Sequence, residues 1–118
     1  MKTSIIQEKS YLFSLRIINA YRQIIERQKE YTLSRQLLKS GTSIGANVEE
    51  ALGGQSRKDF FMKLTIAYKE ARETSYWLRL MRDTKFISDE ASSSLLSDCE
   101  ELIRIITAIQ KTIRKTGN

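Results

Sequence analysis

Phe60 to Met81 reads FFMKLTIAYKEARETSYWLRLM, and Phe60, Leu64, Ala67, Ala71, Thr74, Leu78 and Met81 recur in it at steps of four and three. Those steps keep one face of an α-helix apolar and leave the charges for the other faces. The same spacing continues on both sides. Before it come Leu37, Gly41, Ile44, Val48 and Ala51, and earlier still Ile6, Ser10, Phe13, Ile17, Ala20 and Ile24. After it come Leu95, Cys99, Leu102, Ile106, Ile109 and Ile113. No segment alternates with period two for long enough to suggest a strand. The spacing predicts four helices.

Three polar gaps separate them: Lys29 to Thr32, the Gly53-Gly54 doublet, and the run from Arg82 to Ser94. Two helix starts are marked. Ser56 precedes Asp59 by three, and Ser88 precedes Asp89 and Glu90, placing an N-cap oxygen and negative charge where free N–H groups gather. Long helices joined by short turns fold most economically as an antiparallel up-down-up-down bundle. With 118 residues there is room for a single all-α domain spanning 1–118.

Composition removes several kinds of chemistry. The chain has no His, hence no imidazole base, no His-ligated metal and no Ser-His-Asp triad. Its one Cys, Cys99, permits neither an internal disulfide nor a thiolate cage for zinc. No secretory signal or stretch of about 20 apolar residues occurs, so the expectation is a cytoplasmic protein without membrane contact. No cofactor is expected, and no enzymatic activity.

Two unusual features stay within the reach of packing. Ser40-Gly41-Thr42-Ser43-Ile44-Gly45-Ala46-Asn47 is poor helix material, and its small residues suit the close approach of a neighbouring backbone. A phosphate-binding glycine loop would need Lys after Gly45, where Ala46 stands. Glu49, Glu50, Glu70 and Glu73 are carboxylates on two successive helices. Lys63 and Lys69 stand near enough to pair with them, and Asp59-Lys63 and Lys69-Glu73 have helical i,i+4 spacing; the expectation is inter-helix ion pairing and capping.

Assembly and charge are the remaining signals. The first helix is apolar beyond its core stripe, at Tyr11, Leu12, Leu15, Ile18, Tyr21 and Ile25. This second stripe either widens the core arc or meets another copy, with Ile18, Tyr21 and Ile25 as contact candidates. Lys and Arg number 20 against 14 Asp and Glu, a net charge of +6. Residues 1–40 alone carry eight positive and three negative charges. Arg22, Arg27, Lys29, Arg35 and Lys39 should gather at one pole of the bundle, and Arg104, Lys111, Arg114 and Lys115 form a second basic cluster. Either is a candidate for holding phosphates of RNA or DNA, and either can be merely a solvated surface.

The stretch Leu33 to Met81 resembles the four-helix bundle family encoded by intervening sequences in bacterial 23S ribosomal RNA genes. The resemblance rests on Gln36-Leu37 through Ser43-Ile44, Asn47 with Glu49-Glu50-Ala51, Asp59-Phe60 with Lys63, and Glu70-Ala71 with Glu73 and Trp77-Leu78. It implies a four-helix bundle that assembles into a homopentameric ring. It also implies structural work for Ser43, Asn47, Glu50, Asp59, Lys63, Glu70, Glu73 and Trp77. A related group, the accessory proteins of diversity-generating retroelements, forms similar five-fold barrels that bind nucleic acid and a reverse transcriptase. The functional expectation is a non-enzymatic oligomeric scaffold with sequence-tolerant nucleic-acid binding. The alternative is an adaptor that docks another protein on its apolar flank or rim.

Overall fold

The computed structural model describes residues 2–117, with side chains over 5–116. Four helices follow one another: α1 Lys2–Arg27, α2 Leu33–Leu52, α3 Arg57–Asp83 and α4 Asp89–Gly117. Their side-chain contacts fix the directions. Gln7 meets Glu49 while Ile17 faces Gly41, so α1 and α2 run antiparallel. Ser40 meets Thr74 while Glu50 meets Lys63, which does the same for α2 and α3. Cys99 bonds the Ala71 carbonyl and Arg57 the Thr116 hydroxyl, and Lys9 and Arg16 pair with Glu101 and Asp98. Each helix therefore lies against two antiparallel neighbours, and among the described residues the backbones of diagonally opposite helices do not come close. The result is an up-down-up-down four-helix bundle measuring 49 × 21 × 19 Å.

The slim cross-section follows from the residues in the core stripes. On α1 Ile17 faces Gly41 of α2 while Ser10 and Ser14 face Gly45, and Ala67, Ala71 and Cys99 are fully buried on α3 and α4. A Cβ on Gly41 would lie 2.8 Å from Cγ1 of Ile17, and one on Gly45 would lie 3.3 Å from the Ser10 carbonyl oxygen. Glycine suits both positions, because a Cβ would press on the Ile17 side chain at Gly41 and tightly on the α1 backbone at Gly45. Buried hydroxyls find partners: Thr74 donates to the Glu70 carbonyl at 2.7 Å and shares a 3.0 Å hydrogen bond with Ser40.

Helix ends are set by devices only partly visible in the sequence. Ser56 accepts from the Asp59 N–H at 3.0 Å and Ser88 from the Ala91 N–H at 3.1 Å, so both expected caps form. The turn after α3 is shorter than the polar run suggests. α4 begins at Asp89, and Ser92 is buried inside its first turns. α3 ends with Lys85 in the left-handed region at φ 71°, while the Phe86 N–H returns to the Met81 carbonyl at 2.9 Å. That is a Schellman closure without its usual glycine.

Candidate nucleic-acid interface

The turn between α1 and α2 is organised by Glu30. Its carboxylate accepts the backbone N–H groups of Thr32 at 3.0 Å, Leu33 at 2.9 Å and Ser34 at 2.7 Å. It thus caps α2 from outside the helix, where Thr32 makes no side-chain cap bond. Burial pushes the Glu30 carboxyl up, but those N–H groups and the Ser34 hydroxyl outweigh it and hold the group below its ordinary value.

Around this turn the bundle brings together the helix ends that carry Arg22, Arg27, Lys29 and Arg35, all exposed. Among the described residues none of them forms an ion pair. They spread around the pole instead of sharing one face. Arg27 lines a cleft of about 250 Å³ between α1 and the α3–α4 turn, together with Gln23, Gln28 and Ser88. Arg22 falls on the outer stripe of α1 with Tyr11 and Leu15. Lys29 sits at φ 56° in the turn itself. Lys39 stands further along α2, where its charge reaches Glu70 on α3. The same pole holds acidic residues: Asp83, bonded to Arg82 at 2.8 Å, and Asp89 and Glu90 in the first turn of α4.

The second basic cluster divides. Lys111, Arg114 and Lys115 lie at the opposite pole, with the Arg114 guanidinium 5.1 Å from the Phe61 ring centroid. Arg104 is two to three turns away, in a groove between α3 and α4 that also receives Arg72 and Arg79. Those last two were not singled out from the sequence. The signal that could have found them is their seven-residue spacing on the stretch with the cleanest helical period.

The family-motif residues do local structural work. Ser43 donates to the Lys39 carbonyl at 2.6 Å and Asn47 to the Ser43 carbonyl at 2.8 Å, so both polar side chains bond back along α2. Lys63 reaches across to Glu50 at 2.7 Å. This is the inter-helix pairing expected; among the described residues the i,i+4 pairs Asp59-Lys63 and Lys69-Glu73 do not form, since Lys63 takes Glu50 and Glu73 accepts the Trp77 indole N–H at 3.0 Å. Burial raises the Glu70 carboxyl, helped by the charge of Glu73 and opposed by Lys39. Among the described residues no three acidic or thiol side chains converge as metal ligands would. Burial pushes the Cys99 thiol up to about 12, helped by the charge of Glu100.

The apolar surplus of α1 is also resolved. Ile18, Tyr21 and Ile25 are half-buried, on the flank of α1 shared with Gln7 and Ser14, which face α2. The apolar residues that α1 leaves exposed are Ile5, Tyr11, Leu12 and Leu15. Beside Ile5, a groove of about 370 Å³ is lined by Ile105, Ala108, Glu101 and Arg104 of α4. No described helix is long and apolar enough to cross a membrane.

Fold and surface together define a small basic four-helix bundle in which, among the described residues, every buried polar side chain has a hydrogen-bond partner and several unpaired cations face outward. The chain belongs to the 23S rRNA-intervening sequence protein family, whose pattern it matches over residues 2–108. A crystal structure of a protein of unknown function from the S23 ribosomal protein family of Bacteroides thetaiotaomicron is similar to it, with 46% sequence identity and a TM-score of 0.93. The match covers 94% of this chain and 99% of that one. Comparison with curated proteins returns no match.

Proposed function

We propose that this protein is a non-enzymatic, homo-oligomeric scaffold of the cytoplasm that holds nucleic acid by its phosphate backbone with little regard for sequence. One observation carries the reading. Arg22, Arg27, Lys29 and Arg35 surround a turn whose carboxylate, Glu30, is committed to backbone N–H groups, and among the described residues none of the four is in an ion pair. Their charge is therefore free to meet an outside anion, and an oligomer repeats each patch by symmetry. The absence of catalysis is supported by the Cys99 thiol, held neutral by burial, and by motif carboxylates engaged with Gln7, Lys63 and Trp77.

Oligomerisation is supported by Ile5, Tyr11, Leu12 and Leu15, which a monomer leaves in water. The assembly we expect is a pentamer of about 68 kDa, from chains of 13.7 kDa. Light scattering after size exclusion at micromolar concentration tests it, and a particle of 13.7 kDa would overturn it. The same apolar face favours a second reading, an adaptor that docks another protein there.

Filter binding separates the two readings. The scaffold retains RNA and DNA at low salt and releases both as salt rises. Arg27→Glu with Lys29→Glu weakens retention of every sequence and flattens the salt slope by about 0.9 per lost duplex contact. Base preference does not change, because contacts to phosphate carry no sequence information. An adaptor shows no salt-dependent retention. A double variant that binds as tightly as the parent would remove this pole from the site.

A further inference from the structure

The groove between α3 and α4 holds cations that the reading above does not use. Arg72 and Arg79 stand seven residues apart on α3, about 10 Å along the helix axis, with Ser75 between them. Arg104 enters from α4, and with Ile103 these residues line an open groove of about 520 Å³. All three arginines are exposed, and none is in an ion pair among the described residues.

Two of them are held in place by tyrosines. The Arg72 guanidinium lies 5.9 Å from the Tyr68 ring centroid and donates to the Tyr68 hydroxyl at 3.3 Å. The Arg79 guanidinium lies 5.9 Å from the Tyr76 ring centroid. A guanidinium carries five N–H donors, so most remain for a ligand. Ordering these long side chains beforehand lowers the entropy lost on binding. Glu100 is the one carboxylate lining the groove.

We propose that this groove is a second phosphate-backbone site for nucleic acid, in which Arg72, Arg79 and Arg104 contact phosphates a few nucleotides apart. The inference rests on the nucleic-acid reading above and places a separate site away from the pole. The cations are strung along an open groove instead of converging on one point, which suits a linear polyanion better than a single phosphate group. Measured along the axis of a DNA duplex, where one strand places a phosphate about every 3.4 Å, the α3 spacing of about 10 Å spans about three steps. Glu100 works against the ligand, which gives the test two opposite signs.

The experiment is filter binding of a duplex DNA and a single-stranded DNA of equal length, from about 50 to 200 mM salt. It compares the parent, R72E/R79E, R72K/R79K, E100Q and the pole variant R27E/K29E, each checked by circular dichroism and light scattering for unchanged helix content and mass. R72E/R79E loses at least about tenfold in affinity at the lowest salt, and its duplex slope falls by roughly 2 for the two lost contacts. R72K/R79K keeps the slope, and E100Q binds more tightly than the parent. If the pole variant loses binding while R72E/R79E keeps parental affinity and slope, the groove is refuted and the nucleic-acid reading stands. An E100Q variant that binds no better than the parent also counts against the groove. A parent that retains neither DNA at the lowest salt overturns both the groove and the reading it rests on.

Discussion

Replacing Gly41 by Ala sets helix propensity against packing, and the structure says which wins. In a helix interior Ala is favoured over Gly by about 1 kcal/mol. The new methyl, however, would lie 2.8 and 2.9 Å from Cγ1 and Cγ2 of Ile17, against an ordinary carbon contact of about 3.5–4.0 Å. Ile17 is fully buried, and its β-branched side chain has little rotamer freedom in a helix. The strain therefore falls on the spacing of α1 and α2. Overpacking of this kind costs about 1–3 kcal/mol, so the net effect is a loss of about 1 kcal/mol. At a urea m-value of about 2 kcal/mol/M the midpoint falls by about 0.5 M, measured at fixed protein concentration. In an Ile17→Ala background the clash is gone, and Gly41→Ala should stabilise. Gly53→Ala is the control, since φ is −88° and the nearest atom to its Cβ is 3.7 Å away. It should gain a few tenths of a kcal/mol. The reasoning fails if Gly41→Ala stabilises by about 1 kcal/mol in both backgrounds.

Glu30→Ala removes the cap of α2 and should cost about 1 kcal/mol at pH 7. Because the folded-state pKa is lowered from 4.5, the carboxylate's contribution is complete above 4.5 and disappears as pH falls through the lower folded value. The stability difference between parent and variant should narrow over that acid range in urea melts, and a difference independent of pH would refute the cap. Lys85→Gly relieves a side chain held at φ 71° and should stabilise by about 1 kcal/mol, read as a higher thermal midpoint. Cys99, buried and with its thiol pushed up to about 12, should resist a thiol reagent at pH 8 and react fully in urea. Rapid reaction of the native protein would show that the α3–α4 seam is open.

The bundle was legible because its core stripes are regular. Phe60 to Met81 alone gives the helical period, and Gly41 and Gly45 announce the close approach of α1 and α2 that the structure contains. Helix ends were less legible where the device is unconventional. Glu30 caps α2 from two residues ahead of the Thr32 position, and Lys85 takes a left-handed place usually held by glycine, so neither carries a familiar marker. Charged pairs were legible as a kind and not by partner. The expected inter-helix pairing forms between Lys63 and Glu50, whereas Glu73 meets the neighbour at i+4, Trp77, and not the one at i−4, Lys69. The surface was the least legible part. Charge runs in the sequence gathered Arg22 to Lys39 as one cluster, although helix rotation spreads Arg22, Arg27, Lys29 and Arg35 around a pole and Lys39 lies further along α2 beside Glu70. Arg72, Arg79 and Arg104 meet only because α3 and α4 are adjacent.

The central claim, that free cations on this bundle hold nucleic acid by its backbone, is tested most directly by a salt titration of the unaltered protein. The measurement is the affinity for two DNA duplexes of equal length and unrelated sequence across about 50 to 200 mM salt. The account predicts similar affinities for both duplexes and parallel lines of log affinity against log salt. Each should have a slope of about −0.9 for every phosphate contacted. No retention at the lowest salt, or retention that salt leaves unchanged, would contradict it.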